Sequence, residues 1–432
     1  MKNLPYLVLA SLFAAAWPGS GAVLAAEGDA LRVHFIDVGQ GDATLFEFPC
    51  GTMLVDTGYE SNALFDGQDS LMLYLDEVFD QREDLGRELD LLLITHPHID
   101  HVRGIRAVLE DHPPLNVVTD GLERCSGGSQ QRALHRWVAD REATPDTSDD
   151  VGFESVRAKD IPVGQVYTSA VLNPFSCEGT PPEISVLWGE VSPDLGLSQA
   201  AFDDCNNHSI AVRVDYGQAS VLLTGDMEQE SVEKMLEKYQ GTDLLDADVY
   251  RVGHHGSVNA TTEPLVETMS PDFAVFSMGA FDRQLPHTGW AYAHPRREVV
   301  QMLQEHISTS RPAIQVKAGK KGASPDHGAF FVDLNVDKAL YATGWDGTVA
   351  LEATPEGKWT VLSPADQVEL VNINAATAEE LEALPMIGRE RAGAIVAYRQ
   401  AQGPFGSVDE LLEVQGIGPA TLAAIRDFCI CK

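Results

Sequence analysis

The pattern of apolar and polar positions changes at about residue 366. Between residues 31 and 305, short apolar runs typical of strands alternate with amphipathic runs typical of helices. Residues 31–38 alternate between apolar and polar, and the run at 91–94 predicts a short buried strand. Residues 312–362 are predicted to be β-rich, whereas residues 366–432 show helical periods separated by turns. The pattern predicts a mixed domain of strands and helices, followed by a small all-helical domain.

Charge and length change this picture in one respect. The chain has 432 residues, enough for two or three domains, and a formal net charge of −35. Long-range repulsion disfavours nucleic acid and anionic membranes as partners. It does not forbid binding at a local site that offers metals or backbone donors.

The first 26 residues are typical of a secretory signal. Lys2 precedes an apolar stretch at residues 4–17, and small residues precede a cut near Ala25 or Ala26. The stretch is short for a membrane span, and an uncleaved anchor is the alternative. No later stretch is long enough to span a bilayer, so we expect an exported chain, periplasmic or extracellular, without a stable membrane span after cleavage.

The mature chain contains six cysteines, an even number that permits disulfides in an exported protein. Cys125, Cys177 and Cys205 lie in loop-rich sequence, so a bridge among them is expected. Cys429 and Cys431 are too close in sequence for an ordinary bridge to be assumed.

A compact group of possible metal ligands follows the strand predicted at 91–94: His96, His98, Asp100 and His101. Imidazole nitrogen and carboxylate oxygen are ligands that Zn²⁺ takes, and a strand end holds them rigidly. On an extended backbone His96 and His98 point the same way, so Asp100 and His101 remain for a second metal. A polar surface loop is the alternative, but four such ligands in six positions argue against it.

This motif resembles the signature of the metallo-β-lactamase superfamily. The run Phe-Ile-Asp-Val-Gly-Gln-Gly-Asp-Ala at residues 35–43 resembles the opening of the corresponding domain of ComEC-type competence proteins. The resemblance covers about residues 31–305, and the membrane channel of those proteins is absent. It implies an α+β fold with an αββα sandwich, within a domain over residues 31–362. It also implies two metal ions per chain, with Zn²⁺ preferred and Mn²⁺ possible.

The resemblance also implies a ligand set. His96, His98 and His208 are expected at one metal, and Asp100, His101 and His254 at the other. Asp226, at the end of a predicted strand, would bridge the two metals, although it is also placed to cap the following helix. The expected catalytic residues are Asp100, His255 and His294, and the expected supporting residues behind the ligands are Asp37, Asp42, Asp56 and Asn207. His294 lies in Tyr-Ala-His-Pro, similar to the family's Tyr-Gly-His-Pro, and would donate a proton to the leaving group or bind metal.

Residues 366–432 resemble the double helix-hairpin-helix domain of ComEA-type DNA-binding proteins. Glycine lets the backbone approach a phosphate, and the next helix donates N–H groups to it. The expected DNA-binding residues are Gly388, Gly416, Ile417 and Gly418. Met386 replaces the usual glycine of the first hairpin, so the second hairpin should contribute most. Five Lys/Arg against ten Asp/Glu in this segment predict weak, sequence-independent binding that raises the local DNA concentration. A protein-interaction or purely structural module is the alternative.

These resemblances imply an exported, metal-dependent phosphodiesterase or nuclease that acts on DNA through a metal-activated hydroxide. Three alternatives remain open: a lactamase-type hydrolase, which the bridging Asp226 disfavours; a glyoxalase-type hydrolase of a small thioester; and a non-catalytic DNA-uptake binding protein. DNA is the predicted partner, and the sequence does not indicate protein partners.

Overall fold

The computed structural model describes residues 29–142, 150–320, 330–362 and 371–431, with residues 383 and 385 left aside. The predicted signal segment at residues 1–26 therefore lies outside the described residues. The strands are β1 (Leu31–Phe35), β2 (Thr44–Phe48), β3 (Gly51–Val55), β4 (Leu91–Leu93), β5 (Asn116–Thr119), β6 (Gly152–Ser155), β7 (Glu183–Trp188), β8 (Ala211–Tyr216), β9 (Ala219–Leu223), β10 (Val249–Arg251), β11 (Phe273–Phe276), β12 (Ser310–Gly319), β13 (Phe331–Lys338), β14 (Leu340–Ala342), β15 (Val349–Ala353), β16 (Trp359–Val361), β17 (Val371–Asn372) and β18 (Cys429–Ile430). The α-helices are α1 (Gly67–Gln81), α2 (Ile99–Val102), α3 (Ile105–Asp111), α4 (Gly128–Glu142), α5 (Gln199–Asp203), α6 (Gln229–Tyr239), α7 (Glu263–Met269), α8 (Gly289–Tyr292), α9 (Arg297–His306), α10 (Thr343–Asp346), α11 (Ala378–Glu382), α12 (Arg389–Gln402) and α13 (Pro419–Ile425).

The first sheet has eight strands in the order β16–β15–β1–β2–β3–β4–β5–β6. β1, β2 and β3 form an antiparallel meander with short turns, whereas β3, β4, β5 and β6 are parallel. Parallel neighbours need crossover connections, and α1, α3 and α4 lie in those connections. The carboxyl ends of β3, β4 and β5 therefore meet at one edge of the sheet.

The second sheet has six strands in the order β14–β11–β10–β9–β8–β7. β9, β10, β11 and β14 are parallel, so their carboxyl ends also meet at one edge. β8 is antiparallel to β9, and the loop that precedes β8 reaches the same edge. Ligands of open α/β sheets bind at such carboxyl edges.

Two apolar clusters hold the layers together. The inner faces of both sheets share one cluster, which includes Phe35 and Phe46 from the first sheet and Leu222 from the second. The same cluster continues under α6, α7 and α9, whereas α1, α3 and α4 cover the outer face of the first sheet through a second cluster. The four layers are helix, sheet, sheet and helix, and the predicted αββα fold is confirmed.

The C-terminal helices α11 to α13 pack directly on this outer helical layer. Ile395, Leu422 and Ile425 belong to the same buried cluster as Leu71 and Leu75 of α1, and α13 contacts α1. A parallel pair, β17 and β18, joins the two ends of the C-terminal segment. The segment therefore shares a core with the sandwich, which the sequence did not predict.

Two further regions differ from the expectation. Residues 120–205 have a less regular sequence pattern than the flanking parts of the chain, but they contain the 15-residue helix α4, which begins at glycines that are typical of loops. Leu134 and Val138 of this helix are buried against the sheet, and such packing overrides weak local preference. In the β-rich segment, β15 pairs with β1 and β14 with β11, so much of it completes the two sheets.

Two disulfides join distant parts of the chain, Cys50–Cys177 and Cys125–Cys205. The Cys125–Cys205 bridge confirms the expectation of a bridge among Cys125, Cys177 and Cys205. Cys177 itself pairs with Cys50. The thiol of Cys431 forms no disulfide within the described residues. Disulfides persist in oxidising compartments, so this pattern is compatible with export. Across the described ranges, no helix has the length and apolar character needed to cross a membrane.

A buried ion network links the first sheet to α1. Glu47 accepts a hydrogen bond of 2.6 Å from Nη1 of Arg82 and lies 3.3 Å from Nε2 of His34, with Arg32 at 4.0 Å. Burial alone would raise the pKa of Glu47, but His34, Arg32 and Arg82 lower it to about 2. Glu47 is therefore held as a carboxylate.

Candidate metal centre

Candidate ligands from both sheets meet at the shared strand edge. His96 and His98 follow β4, and Nε2 of His96 lies 3.1 Å from Nδ1 of His98. His96, His101 and Asp226 have ligand atoms within 4.8 Å of one another. A first group of candidate ligands thus combines one loop of the first sheet with the carboxylate that follows β9.

A second group contains Asp100, His101 and His255, whose ligand atoms also lie within 4.8 Å of one another. Nε2 of His255 is 3.4 Å from Oδ2 of Asp100 and 3.6 Å from Oδ2 of Asp226. Nε2 of His101 is 3.2 Å from the same Oδ2 of Asp226. His101 is common to both groups, and Asp226 of the first group also lies beside His255 of the second, so this carboxylate is placed between the two groups.

Hydrogen bonds fix which nitrogens face the site. Nδ1 of His101 donates to Asp56 at 2.7 Å, and Asp56 also accepts from the backbone N–H and hydroxyl of Thr95. Nδ1 of His255 donates to the carbonyl of Ser277 at 2.7 Å. The Nε2 atoms of His101 and His255 are left pointing into the site, and neither makes a hydrogen bond in the described part of the chain. Converging, unsatisfied imidazole nitrogens beside carboxylates fit a divalent metal such as zinc.

The two carboxylates of the site are held in the charged form. Burial opposes this form of Asp226, but His101 and His255 hold its pKa well below the ordinary value. Burial likewise opposes the charged form of Asp100, yet the adjacent ring of His255 and the charge of His101 lower its pKa. Both groups are therefore ionised at neutral pH, as metal ligation requires.

The histidines divide into two electrostatic classes. Burial, together with His101 and His98, lowers the pKa of His96 well below its usual value, so this ring is neutral at pH 7. Burial also disfavours charge on His101, but Asp226 and Asp56 raise its pKa well above the ordinary value. A metal ion that binds His101 must displace that proton, so metal affinity should weaken as the pH falls.

His208 does not join the other candidate ligands. Its Nδ1 accepts from the backbone N–H of Val191 at 3.2 Å, and its Nε2 lies 2.8 Å from the carbonyl of Phe202. The reason is the 3₁₀ turn Cys205–His208, which rotates successive side chains by about 120°. Asn206 lines the cleft instead, and its Oδ1 lacks a hydrogen-bond partner in the described residues.

Of the two adjacent histidines after β10, His255 lies among the candidate ligands, where His254 was expected. Both have positive φ angles, 48° for His254 and 54° for His255, in the turn Gly253–Gly256. Nε2 of His254 is 3.9 Å from Asp226, farther than that of His255, and Nδ1 lies 3.7 Å from Glu228. His255 therefore belongs to the second group of ligands, whereas His254 forms part of the cleft wall.

Two of the expected supporting residues stand further from the ligands. Asp37 lies 3.4 Å from Nη2 of Arg283 and accepts from the backbone of Gly39, so it supports the cleft wall rather than a candidate ligand. Asn207 accepts from the backbone N–H of Glu228 at 3.2 Å and fixes the segment that follows Asp226.

Arg251 is not among the residues that the sequence predicts for the site. This fully buried arginine forms an ion pair with Asp42, donates to the carbonyl of Gly225 at 3.1 Å and lies 3.6 Å from Oδ1 of Asp226. No local pattern in the sequence indicates such a role.

The ligand groups form the floor of a cleft of about 560 Å³. Arg103 and Tyr292 line its walls, and Nε of Arg103 has no hydrogen-bond partner in the described residues. The ring of His294 lies 5.9 Å from the rings of His254 and His255, and its Nδ1 is likewise without a partner there. Burial and the neighbouring histidines lower the pKa of His294 well below its usual value. The ring is therefore neutral at pH 7.

The C-terminal domain contains two hairpins with matching hydrogen bonds. In the first, Ile387 donates its N–H to Leu384, and in the second Ile417 donates to Val414. Both isoleucine side chains are buried. The backbone N–H of Ile417 is thus used within the turn, which corrects its assignment as a DNA-contacting residue.

The hairpin glycines are in open space. A Cβ atom added to Gly388 or Gly418 would meet nothing within 4 Å. Met386 has a φ of 58° and Gly416 a φ of 94°, so methionine adopts the left-handed conformation expected of the replaced glycine. Arg391 donates to the carbonyls of both Met386 and Gly416 and joins the two turns.

The sequence profile of the metallo-beta-lactamase superfamily matches residues 36–279. The chain belongs to the metallo-β-lactamase superfamily. The profile of the helix-hairpin-helix motif matches residues 366–430 of this superfamily member, as expected.

Relatives of this metallo-β-lactamase superfamily member include competence proteins. It is 27% identical over 292 residues to ComE operon protein 3 of Bacillus subtilis, covering 66% of this chain and 31% of that protein. It is 28% identical over 257 residues to Recombination protein 2 of Haemophilus influenzae, covering 59% and 25%. ComE operon protein 1 of Bacillus subtilis is 39% identical over 76 residues, covering 18% of this chain and 37% of that protein. The chain thus spans less than a third of the length of the first two relatives.

Proposed function

We propose that this chain is a metal-dependent phosphodiesterase that acts on DNA. The observation that carries the proposal is the position of Asp226, which lines the cleft, belongs to the first group of ligands and lies beside His101 and His255 of the second. Paired metals in this arrangement are used for displacement at phosphorus. The competence and recombination proteins among the relatives favour DNA as the substrate.

In this proposal the two metal ions are zinc, and Mn²⁺ fits the same ligands less well. His96 and His98 would hold one ion, Asp100, His101 and His255 would hold the other, and Asp226 would contribute its carboxylate between them. When bound, the ions lower the pKa of water and stabilise charge on a phosphoryl oxygen. Asp56 and Ser277 keep the two Nε2 atoms aimed at the ions.

The remaining cleft residues bind and orient the phosphodiester. Arg103 offers an always-charged guanidinium, which matches two phosphate oxygens at once. The neutral ring of His294 carries one N–H, which can donate a hydrogen bond to the leaving oxygen, and its other nitrogen can accept one. This use agrees with the proton donor that the sequence predicts as one of two roles, the other being a metal ligand.

The helix-hairpin-helix domain binds the DNA backbone in this proposal. Gly418 stands at the exposed start of α13, where backbone N–H groups can reach a phosphate. The acidic surroundings provide little counterion release, so binding should be weak and independent of sequence. The signal-like leader and the two disulfides support action outside the cytoplasm, in the periplasm or medium.

The test compares two buried acids, Asp226 and Asp120. Burial raises the pKa of Asp120 well above its ordinary value, so its charged form is disfavoured and Asp120→Asn should change little. Asp226→Asn should abolish hydrolysis of bis-p-nitrophenyl phosphate and of plasmid DNA by the zinc-loaded protein. If the unaltered protein binds zinc but cleaves only a thioester such as S-lactoylglutathione, the proposed substrate is wrong. If it cleaves nothing and still binds DNA, the chain is a binding protein.

A further inference from the structure

Arg251 is a buried cation that connects the two sheets beneath the candidate metal centre. It ends β10 in the second sheet, and its side chain is fully buried. Nη2 forms an ion pair with Asp42, which belongs to the first loop of the first sheet. Nη1 donates to the carbonyl of Gly225 at 3.1 Å and lies 3.6 Å from Oδ1 of Asp226. One guanidinium thus contacts carboxylates from both halves of the sandwich.

The two oxygens of Asp226 face different groups. Oδ2 lies 3.2 Å from His101 and 3.6 Å from His255, on the side of the candidate ligands. Oδ1 faces Arg251. We infer that Arg251 is a positioning residue, which holds Asp226 so that one oxygen alone serves the metals. The inference rests on the metal centre of the proposed function.

The guanidinium of Arg251 also keeps Asp42 from acting as a metal ligand. Asp42, Asp56 and His101 have ligand atoms within 4.8 Å of one another, a spacing that a metal ion could occupy. Arg251 supplies Asp42 with a fixed positive charge, so Asp42 is paired before any metal arrives. The metals are therefore directed to the cleft side of His101 and not to the side of Asp42.

A second arginine, which is partly buried, provides a comparison. Arg311 donates to both oxygens of Asp346 and to the carbonyl of Leu340, at distances of 2.6 to 3.0 Å. None of these three residues lines the cleft. Arg311 and Asp346 thus form a partly buried pair with a structural role, whereas Arg251 adds a contact to a carboxylate of the metal centre, Asp226.

The experiment removes each pair as a unit, because a single neutral substitution would strand a buried carboxylate and endanger folding. The first double variant is Asp42→Asn with Arg251→Met, and the control is Asp346→Asn with Arg311→Met. Zinc affinity is measured by competition with a chromophoric chelator, zinc content by elemental analysis, and folding by thermal unfolding of the metal-free protein. Arg251→Lys, which keeps a positive charge beside Asp42, is the conservative variant.

We expect the first double variant to bind zinc about 10- to 100-fold more weakly than the unaltered protein, as for other residues behind metal ligands. The control should keep the unaltered affinity, and Arg251→Lys should recover most of the loss. Unaltered zinc affinity and content in a folded Asp42–Arg251 double variant would overturn the inference. An equal loss in the control would also overturn it. If the unaltered protein binds two zinc ions but cleaves no phosphodiester, the proposed function fails while the affinities still decide the role of Arg251.

Discussion

Removal of the Cys125–Cys205 disulfide should damage the cleft as well as the stability of the fold. This bridge joins the loop after β5 to the 3₁₀ turn before β8. Its sulfur atoms lie within 4.8 Å of a ring nitrogen of His98. The residues that follow the two cysteines, Ser126 and Asn206, both line the cleft. The double variant Cys125→Ser with Cys205→Ser therefore releases two walls of the site at once.

The expected loss of stability follows from the length of chain that each bridge closes. Cys125 and Cys205 are separated by 80 residues, for which the chain-entropy relation gives about 4.5 kcal/mol. Cys50 and Cys177 are separated by 127 residues, for which it gives about 4.9 kcal/mol. The second bridge lies outside the set of cleft-lining residues. The double variant Cys50→Ser with Cys177→Ser is thus a control that should lose nearly the same free energy of unfolding.

The assay combines denaturant unfolding with hydrolysis of bis-p-nitrophenyl phosphate under conditions where both variants are folded. Both should lose several kcal/mol of unfolding free energy. The Cys125–Cys205 variant should also lose activity about 100-fold, because a displacement of about 1 Å in a catalytic site has that effect. Equal activity in the two folded variants would refute the reasoning, since the cleft would then depend only on global stability.

Three further predictions concern the cleft, the hairpins and the fold. Arg103→Met should raise KM for a phosphodiester about tenfold and leave zinc content unchanged, because it removes one charged contact to phosphate; steady-state kinetics and elemental analysis test this. Gly418→Val should weaken binding of long DNA without unfolding the domain, whereas Gly393→Val, at an equally open glycine of α12, should not; fluorescence anisotropy compares them. Glu47→Gln should cost about 3 kcal/mol at pH 7, the value of lowering a pKa from 4.5 to about 2. That contribution is complete above pH 4.5 and disappears as the pH falls towards 2, so denaturant unfolding of both proteins should converge in acid.

The strand-end ligands could be predicted because their signal is local. His96, His98, Asp100 and His101 lie within six consecutive positions after an apolar run, with His98 on extended backbone and both Asp100 and His101 in the short helix α2. His208 could not be placed in this way, since the direction of its ring depends on a 3₁₀ turn within the loop before β8.

Tertiary contacts also explain what else escaped prediction. Arg251 reads as an ordinary strand residue, and its role depends on Asp42, 209 positions earlier in the chain and in the other sheet. Ala293 and Met386 replace glycines of the family patterns, yet their φ angles are 56° and 58°. The surrounding structure therefore imposes the left-handed conformation that sequence reasoning reserves for glycine.

The core shared by α1 and the C-terminal helices sets the distance between the hairpins and the metal centre. Leu422 and Ile425 are buried in the same cluster as Leu71, so the helices that carry the hairpins pack against the domain that holds the cleft. A DNA strand held at Gly418 would thus reach the metal centre after a set number of nucleotides. Fragments released from long DNA should then cluster around one length, whereas a freely swinging domain would produce a broad range of lengths.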